Sequence, residues 1–393
     1  MPCARNRISI LPSNLADKSG SWRCSNLTPP PITPGQQRLA SSSTGANRQR
    51  CFSCDRKLRA PDDPGVHNSS VTKHLSLVIS GSSHYVTTLP VSSFVVKGCT
   101  VRLSVIIPCY NAADTLGEQL DSLACQEWDQ PWEVIVADNG SSDNSRAMAE
   151  AYLNRIANLR IIDASARKGG AFARNEAVRY AQSDAIVFID ADDVAAPGWV
   201  AAIGNALEHH AFVASRFDIE HLNHQSWISR TRSNPQAEGV QRISYPPHLP
   251  HSGGCGLGVR RALHEQIGGF DESLLRLMDT DYCFRIQLQS NVELTFVPDA
   301  TVYVRYRDTL SGMFRQTRER AAYNVFLAAR YRPAGQSRSH LRAWYRLIQR
   351  WFRLWLRLFT KVRSREQFAE WLRVLGWQIG LIQGSLKYKV PPL

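Results

Sequence analysis

One apolar segment of this sequence ends abruptly in three carboxylates. Residues 185–189 read Ala-Ile-Val-Phe-Ile, and Asp190-Ala-Asp-Asp193 follows at once. A short continuous apolar run predicts a strand buried on both faces, because helices cover both faces of a largely parallel sheet. In such sheets, ligands bind at the carboxyl ends of the strands. The acidic group is therefore predicted to lie at a ligand-binding edge.

Asp190 and Asp192 are predicted to share one hard divalent cation, Mg²⁺ or Mn²⁺. On an extended backbone, residues two apart project to the same side, and such cations prefer carboxylate oxygens as ligands. Phosphate oxygens would complete the coordination. Asp193, which precedes Pro197-Gly-Trp199, has the alternative of capping the next helix. From these acidic residues alone, a cation site and a loop whose aspartates cap the next helix both remain open.

The composition indicates a globular protein with an uneven charge. Hydrophobic residues make up 43% of the 393 residues, and the formal net charge is +13. Residues 301–393 contain 19 Lys and Arg against 4 Asp and Glu, so the rest of the chain is slightly acidic. A basic tail beside a near-neutral domain predicts contact with an anionic surface through one element, and we expect no nucleic-acid partner.

The sequence carries no signal for export or for membrane insertion. No apolar run reaches the roughly 18 to 20 residues that cross a bilayer, and the first thirty residues lack a charged segment followed by an apolar one. The nine cysteines are scattered, which favours reduced thiols. We therefore expect a cytoplasmic protein.

Three regions differ in composition. Residues 1–100 are rich in Ser, Pro, Asn and Gly and are predicted to be largely disordered, because they contain little apolar surface to bury. Residues 101–335 are predicted to form a catalytic α/β domain, and residues 336–393 a basic, Trp-rich helical tail. Since order begins sharply near Val101, we expect the natural start of the chain there.

Strands and helices alternate along the central region, which predicts a doubly wound α/β structure. Strands are predicted at residues 103–108, 133–137, 159–162, 184–189 and 211–221. Helices are predicted at residues 112–125, 143–157, 170–181, 197–209, 259–267, 279–289 and 341–361. The polar residues 223–250 are predicted to form a loop or lid, and the glycine-dense residues 253–258 a flexible loop.

Several motifs follow the predicted strands in a characteristic order. They are Ser104-Val-Ile-Ile-Pro-Cys-Tyr-Asn111, Ala137-Asp-Asn-Gly-Ser-Ser-Asp143, residues 169–175 ending in Ala-Arg-Asn, residues 188–193, Gly268-Gly-Phe-Asp-Glu272 and Asp279-Thr-Asp-Tyr-Cys-Phe-Arg285. With this order and spacing, residues 103–333 resemble family-2 glycosyltransferases. The resemblance implies the inverting GT-A fold, a Rossmann-like mixed sheet flanked by helices, here followed by an amphipathic helical tail.

The resemblance also implies a set of donor-binding residues. The nucleoside pocket would be lined by Pro108, Tyr110, Asn111 and Asp138. Many relatives carry a second Asp where this chain has Asn139, which leaves the base open. Arg174 and Asp190 would bind the donor diphosphate, with Asp190 and Asp192 holding the cation. Glycines before the helix that carries Arg174 favour the close approach of a phosphate.

Asp279 and Asp281 are the predicted catalytic residues. Family members carry an acidic pair here, and Met278 replaces its first member. Asp279 is predicted to deprotonate the acceptor hydroxyl in a single displacement with inversion. Both acids lie at a helix N-terminus, so favourable interaction with the helix dipole is the alternative for each.

The tail helix is predicted to lie on a membrane. Its basic residues, Arg342, Arg346, Arg350, Arg353, Arg357 and Lys361, recur at steps of three or four. Its apolar face includes Trp344, Ile348, Trp351, Trp355, Leu358 and Phe359, widened by Tyr345, Leu347, Phe352, Leu354 and Leu356. A Trp-rich face beside a cationic one is typical of helices at anionic membrane interfaces. Packing on the catalytic domain or on a partner is the alternative.

The sequence thus predicts a metal-dependent inverting glycosyltransferase that is peripheral on the inner face of the cell membrane. The donor would be a UDP-, GDP- or dTDP-sugar, and the acceptor a glycan or lipid-linked sugar in the synthesis of cell-surface polysaccharide or glycolipid. Two alternatives remain: a nucleotidyltransferase, and a catalytically silent membrane-peripheral binding protein.

Overall fold

The computed structural model describes residues 101–228, 231–334 and 340–393. The N-terminal extension predicted to be disordered, residues 1–100, lies outside the described residues. Its disorder and the expected natural start near Val101 therefore stay predictions.

Eight strands form one mixed sheet. These are β1 (Leu103–Cys109), β2 (Trp132–Asp138), β3 (Leu159–Asp163), β4 (Ala185–Phe188), β5 (Val194–Ala195), β6 (Phe212–Asp218), β9 (Leu257–Arg260) and β10 (Thr295–Tyr303), and a separate antiparallel pair comprises β7 (Gln241–Arg242) and β8 (Pro250–His251). The order across the sheet is β3-β2-β1-β4-β9-β6-β10-β5. The predicted fold class is confirmed.

Strand direction brings several strand ends to one edge of the sheet. Strands β1 to β4 are mutually parallel, so β1, β2 and β4 all end on the same side. Strand β9 is antiparallel to both of its neighbours, β4 and β6. The prediction of a helix starting at Val259 is wrong, because Val259 lies within β9. A Cβ at Gly258 would lie 2.7 Å from Val213 Cγ2, so glycine permits the close approach of β6.

Nine helices are present in the described residues. They are α1 (Ala113–Ala124), α2 (Ser145–Glu150), α3 (Gly170–Tyr180), α4 (Trp199–His209), α5 (Arg261–Gln266), α6 (Met278–Ser290), α7 (Leu310–Arg330), α8 (His340–Lys361) and α9 (Arg365–Tyr388). Helix α2 is much shorter than the predicted helix over residues 143–157, whose second half consists of turns.

The core lies on both faces of the sheet. In β4, Val187 packs into the cluster on one face, and Ile186 and Phe188 pack into the cluster on the other. All three side chains are completely buried. Alternate residues of a strand point to opposite faces, so a continuous apolar run is what a doubly covered strand requires. The prediction that this strand is buried on both faces is confirmed.

The C-terminal helices pack on one another and on α7. Helix α9 runs against α7 with glycine at the contact: a Cβ at Gly380 would lie only 2.1 Å from the Arg318 carbonyl oxygen. Gly376 and Gly384, one turn away on either side, meet backbone of α7 in the same way. Glycine therefore permits backbone-to-backbone packing along two turns of α9.

Helix α8 divides the single predicted apolar face into two. Trp344, Leu347 and Trp351 pack in a cluster with residues of α7 and α9. Leu354 is buried, and seven further apolar side chains are exposed. We call these seven the exposed stripe: Leu341, Tyr345, Ile348, Phe352, Trp355, Leu356 and Phe359. Among the helices of the described residues, none has both the length and the apolar character needed to cross a membrane.

Candidate active site

A cavity of about 400 Å³ opens where β1 and β4 end, and we call it the first cavity. It is lined by Pro108, Cys109, Tyr110, Asn111, Ala112, Asp114, Thr115, Asn139, Gly170, Ala173, Arg174, Asp190, Ala191, Asp192, Arg305 and Arg307. Its volume lies in the range of small-molecule sites. Six of the predicted donor- and metal-binding residues are thus brought together.

Tyr110 and Asn111 differ in what they offer a ligand. The Tyr110 side chain is 53% exposed, so its ring is available for stacking. Asn111 adopts a left-handed backbone conformation (φ 48°), which asparagine tolerates better than most residues. Its Oδ1 accepts a hydrogen bond from Ser142 N at 2.8 Å, and its own N–H donates to Ser141 Oγ at 3.0 Å. Asn111 therefore joins the loops that follow β1 and β2.

Asp138 does not line the first cavity, in contrast to the prediction. Its side chain is buried at the end of β2, where Oδ1 accepts a hydrogen bond from Ser141 N at 3.0 Å. The next residue, Asn139, lines the cavity instead. Asn139 Nδ2 donates to the carbonyls of Ala164 and Arg167, and its Oδ1 accepts from Gly169 N at 2.7 Å. An aspartate here would lose both donated bonds, so the amide is suited to hold the loop before α3.

Arg174 and Asp190 form a salt bridge. Arg174 is buried on the first turns of α3, and its Nη1 also donates to the Gly170 carbonyl at 3.2 Å. The Asp190 side chain is 35% exposed. The guanidinium is therefore placed to balance negative charge where the acidic group meets the cavity.

Asp190 and Asp192 are not on an extended backbone, so that part of the prediction is wrong. Residues 190–193 form a turn in which Asp193 N donates to the Asp190 carbonyl at 3.3 Å. Asp192 still lines the first cavity, and its side chain is as exposed as that of Asp190. Burial, followed by the negative charge of Asp190, raises the pKa of Asp192.

Asp193 faces the protein interior. Its Oδ1 accepts a hydrogen bond from Arg305 N at 2.8 Å, and its carboxylate accepts one from the Cys255 thiol. The alternative of a helix cap is wrong, because α4 has Gly198 at its N-cap and no side-chain cap. Burial raises the pKa of Asp193 well above its usual range, and the charges of Asp192 and Asp190 add to the effect.

Two groups of side chains offer metal ligands. Ligand atoms of Asp190, Asp193 and Cys255 lie within 4.8 Å of one another. Burial raises the pKa of the Cys255 thiol well above its usual range, and this thiol donates a hydrogen bond to the Asp193 carboxylate. Thiolates suit softer metals, whereas Mg²⁺ and Mn²⁺ prefer oxygen ligands. The partly exposed carboxylates of Asp190 and Asp192 therefore fit a hard cation better.

Asp279 lies in a second cavity of about 540 Å³, which we call the second cavity. This cavity is lined by Arg174, Asp190, Gly254, Arg276, Leu277, Met278, Asp279, Arg307, Asp308, Thr309, Gly312, Arg315, Gln316, Glu319 and Arg320. One carboxylate oxygen of Asp279 accepts a hydrogen bond from Thr280 N at 2.9 Å. Among the described residues, its other oxygen has no hydrogen-bond partner, which suits a base.

Asp281 does not reach either cavity, and its prediction as a catalytic residue needs correction. Its side chain is 0% exposed and lies 2.7 Å from Arg285 Nε and 3.3 Å from Arg330 Nη1. The Tyr331 hydroxyl donates to it at 2.6 Å. Residues two apart on a helix point about 200° away from each other. Asp279 and Asp281 therefore cannot both face the cavity, and Asp281 instead joins α6 to the end of α7.

Several residues of the cavities were not predicted from the sequence. Arg305 and Arg307 follow β10, which was not predicted, and Arg276, Arg315 and Arg320 lie on or near α7. The alternating β-branched and aromatic residues of Thr301-Val-Tyr-Val-Arg-Tyr-Arg307 were a signal for a strand leading to the site.

Known proteins resemble this chain over part of its length. Residues 104–268 match the family model described as glycosyl transferase family 2. The uncharacterized glycosyltransferase YfnE of Bacillus subtilis is 36% identical over 135 residues, which cover 31% of this chain and 34% of that protein. A second relative is WfgD, a glucosyltransferase of Escherichia coli that is named for UDP-Glc and GlcNAc-diphosphoundecaprenol. It is 29% identical over a stretch that covers 40% of this chain and 57% of the WfgD chain. The chain spans less than two thirds of the length of each of these two relatives.

Solved structures match with low identity. The mannosyltransferase PcManGT from Pyrobaculum calidifontis, in complex with GDP-Man and Mn²⁺, is 20% identical with a TM-score of 0.49, over 73% of this chain and 86% of that one.

On the evidence of the family model, residues 104–268 of this chain belong to glycosyl transferase family 2.

Proposed function

We propose that the protein is an inverting glycosyltransferase that transfers a sugar from a nucleoside-diphosphate donor to a sugar hydroxyl. The observation that carries this proposal is the arrangement of two adjoining cavities that share Arg174 and Asp190. The first cavity suits the donor, and the second contains a carboxylate with an unused oxygen. The membership of residues 104–268 in the family supports the assignment.

The donor binds in the first cavity. The exposed ring of Tyr110 stacks on the base, and Arg174 and Arg307, which line the same cavity, bind diphosphate oxygens. Asp138, whose side chain is engaged with Ser141, positions the loop rather than contacting the base. The WfgD relative is named for UDP-Glc, which makes UDP-sugars the first donors to test.

Asp279 acts as the base. The acceptor hydroxyl oxygen attacks the anomeric carbon of the donor, and the bond between that carbon and the phosphate oxygen breaks. The proton passes from the hydroxyl to the Asp279 carboxylate, and the nucleoside diphosphate leaves. Because attack and departure occur on opposite faces of the carbon, the configuration inverts.

Asp190 and Asp192 would hold Mg²⁺ or Mn²⁺ beside the diphosphate. A bound divalent cation neutralises negative charge that develops on the leaving group. These two residues suit such a cation because both carboxylates line the first cavity and each side chain is about a third exposed. The carboxylates balance the cation, and Arg174 supplies further positive charge from the same cavity wall.

Helix α8 binds an anionic membrane surface, which we propose places the enzyme on the inner face of the cell membrane. The exposed stripe would enter the interface, and the row of arginines beside it would meet acidic headgroups. The relative WfgD is named for a lipid-diphosphate acceptor. A lipid-linked or cell-surface glycan acceptor would be consistent with this placement.

A panel of nucleotide sugars tests the proposed activity. The full chain is incubated with UDP-, GDP- and dTDP-hexoses and either Mg²⁺ or Mn²⁺, and the released nucleoside diphosphate is measured. We expect release from one base class and loss of release with EDTA. The Asp299→Asn variant, altered at an exposed carboxylate of β10, is the control and should behave like the wild type. Release at the background rate with every donor would contradict the proposal.

A further inference from the structure

The second cavity contains more cationic side chains than its carboxylates neutralise. Arg174 pairs with Asp190, and Arg276 pairs with Glu319 at 2.8 Å. Beyond these two pairs, the lining contributes three arginines, Arg307, Arg315 and Arg320, against two carboxylates, Asp279 and Asp308. The lining therefore contains one more cationic than anionic side chain, and Asp192, outside the lining, lies 3.7 Å from Arg307.

Arg315 and Arg320 have no ion pair or side-chain hydrogen bond within residues 101–228, 231–334 and 340–393. Both project from α7 into the second cavity, and neither lines the first cavity. Arg307, by contrast, lines both cavities and lies 3.7 Å from Asp192. Arg315 and Arg320 are thus free to bind a ligand that the donor site does not contact.

Arg320 shares a further cavity with the proposed base, Asp279. Arg320 and Asp279 both line a smaller adjoining cavity of about 210 Å³, together with His251, Asn324 and Trp377. The side chains of that cavity combine an aromatic ring with hydrogen-bonding groups, which suits a sugar ring with its apolar face and its hydroxyls. A sugar held there would have its reactive hydroxyl near Asp279 and any attached anionic group near the arginines.

We propose that the second cavity takes an acceptor that carries a phosphate or diphosphate group next to the accepting sugar, and that Arg315 and Arg320 bind this group. The inference rests on the proposed glycosyltransferase function and specifies its acceptor. Guanidinium groups bind phosphate through two parallel hydrogen bonds, which fixes orientation as well as adding affinity. A neutral acceptor would leave both arginines without an anionic partner.

Calorimetry with matched synthetic acceptors tests the proposal. The probes are octyl diphosphate glucose, neutral octyl glucoside, and a short polyol-phosphate oligomer bearing glucose. Each is titrated into the full chain with and without saturating nucleoside diphosphate and Mn²⁺. We expect at least one phosphate-bearing probe to bind about tenfold or more tightly than the glucoside, a difference of about 1.4 kcal/mol. Preference for the octyl diphosphate indicates a lipid-linked source, and preference for the oligomer a polymer source.

Substitutions on α7 test whether Arg315 and Arg320 cause the preference for phosphate-bearing probes. Arg315→Gln and Arg320→Gln should each remove most of the preference for the phosphate-bearing probe. Arg318→Gln is the matched control, because Arg318 lies on the same helix, over the Phe314 ring and outside the cavity lining. Equal binding of neutral and anionic probes, or an equal loss in the Arg318→Gln variant, would overturn the proposal. Nucleoside diphosphate binding is measured first, so its absence counts against the proposed function and not against the arginine assignment.

Discussion

The salt bridge between Arg174 and Asp190 lies at the junction of two cavities, and both residues line both of them. Arg174 also packs over the Phe270 ring, with its guanidinium carbon 5.7 Å from the ring centroid. One ion pair thus borders the proposed donor site and the proposed acceptor site. In the proposed reaction, Arg174 would thus lie between the donor and the acceptor.

Asp279→Asn should abolish most turnover without weakening donor binding. The amide keeps the size of the side chain but cannot accept the proton from the acceptor hydroxyl. General base catalysis contributes about 100-fold to 10,000-fold, so we expect a fall in kcat of that size. Steady-state kinetics and nucleotide titration measure the two effects. Near wild-type turnover in this variant would rule out Asp279 as the base.

Asp281→Asn should reduce stability far more than it reduces turnover of the folded enzyme. The change leaves Arg285 without its buried carboxylate partner, whereas Arg330 keeps its ion pair with Asp271 at 2.7 Å. Breaking a buried ion pair from one side costs about 3 to 5 kcal/mol. Chemical denaturation measures the free energy of unfolding, and kcat is measured well below the melting temperature. A variant of unchanged stability and strongly reduced kcat would restore Asp281 to the catalytic residues.

The contribution of His264 to the stability of the protein should fall as the pH is lowered from 6.5 towards 4. Burial lowers the pKa of this histidine from 6.5 to about 4, and its ring nitrogen Nδ1 lies 2.9 Å from the Tyr282 hydroxyl. Between these two pKa values the unfolded chain binds a proton that the folded chain does not, so acid favours unfolding. Below about pH 4 His264 is protonated in both the folded and the unfolded chain, so it no longer makes the free energy of unfolding depend on pH.

His264→Gln provides the comparison for the pH dependence. Near pH 5 the slope of the unfolding free energy against pH should decrease by about 1.4 kcal/mol per pH unit, the value for one proton. His251, whose pKa burial also lowers to about 4, contributes in the same direction and remains in this variant. An unchanged slope in denaturation measured from pH 4.5 to 7 would contradict the assignment to His264.

Replacing two residues of the exposed stripe should release the protein from anionic vesicles. Phe352 and Phe359 are 70% and 72% exposed, and glutamate at both positions would remove apolar area and repel acidic headgroups. Flotation with vesicles that contain phosphatidylglycerol measures binding. Leu153→Glu with Leu288→Glu, which alters two exposed leucines elsewhere, is the matched control and should still float with the vesicles. Binding that does not depend on anionic lipid, or on the stripe, would contradict the membrane proposal.

Much of the sheet was predictable because its strands have strong local signals. The run that forms β4 has apolar residues on both faces, and its end fixes the position of Asp190. Strand β9 was missed because its short apolar run is interrupted by Gly258. This glycine is needed because β6 packs too close for a Cβ at that position. That approach depends on residues distant in the sequence, which local periodicity does not report.

The site was predicted in part. The motifs placed Tyr110, Arg174 and Asp190 in one cavity, since parallel strands end together. They did not separate Asp279 from Asp281, because a shared motif does not show which side of a helix faces the ligand. The arginines of the second cavity converge only through the packing of α7 beside the segment after β10. Such convergence is a tertiary property with no compact sequence pattern.

Calorimetry with nucleoside diphosphates tests the central claim, that Asp190 and Asp192 hold a divalent cation against the donor diphosphate. UDP, GDP and dTDP are titrated into the full chain with Mn²⁺, and then with EDTA. We predict that one of them binds with Mn²⁺ and weakens at least about tenfold with EDTA, a loss of about 1.4 kcal/mol. Asp190→Asn and Asp192→Asn should each show the same loss with Mn²⁺ present, while Asp299→Asn should not. Failure of all three nucleotides to bind, or binding that neither EDTA nor these substitutions weaken, would contradict the account.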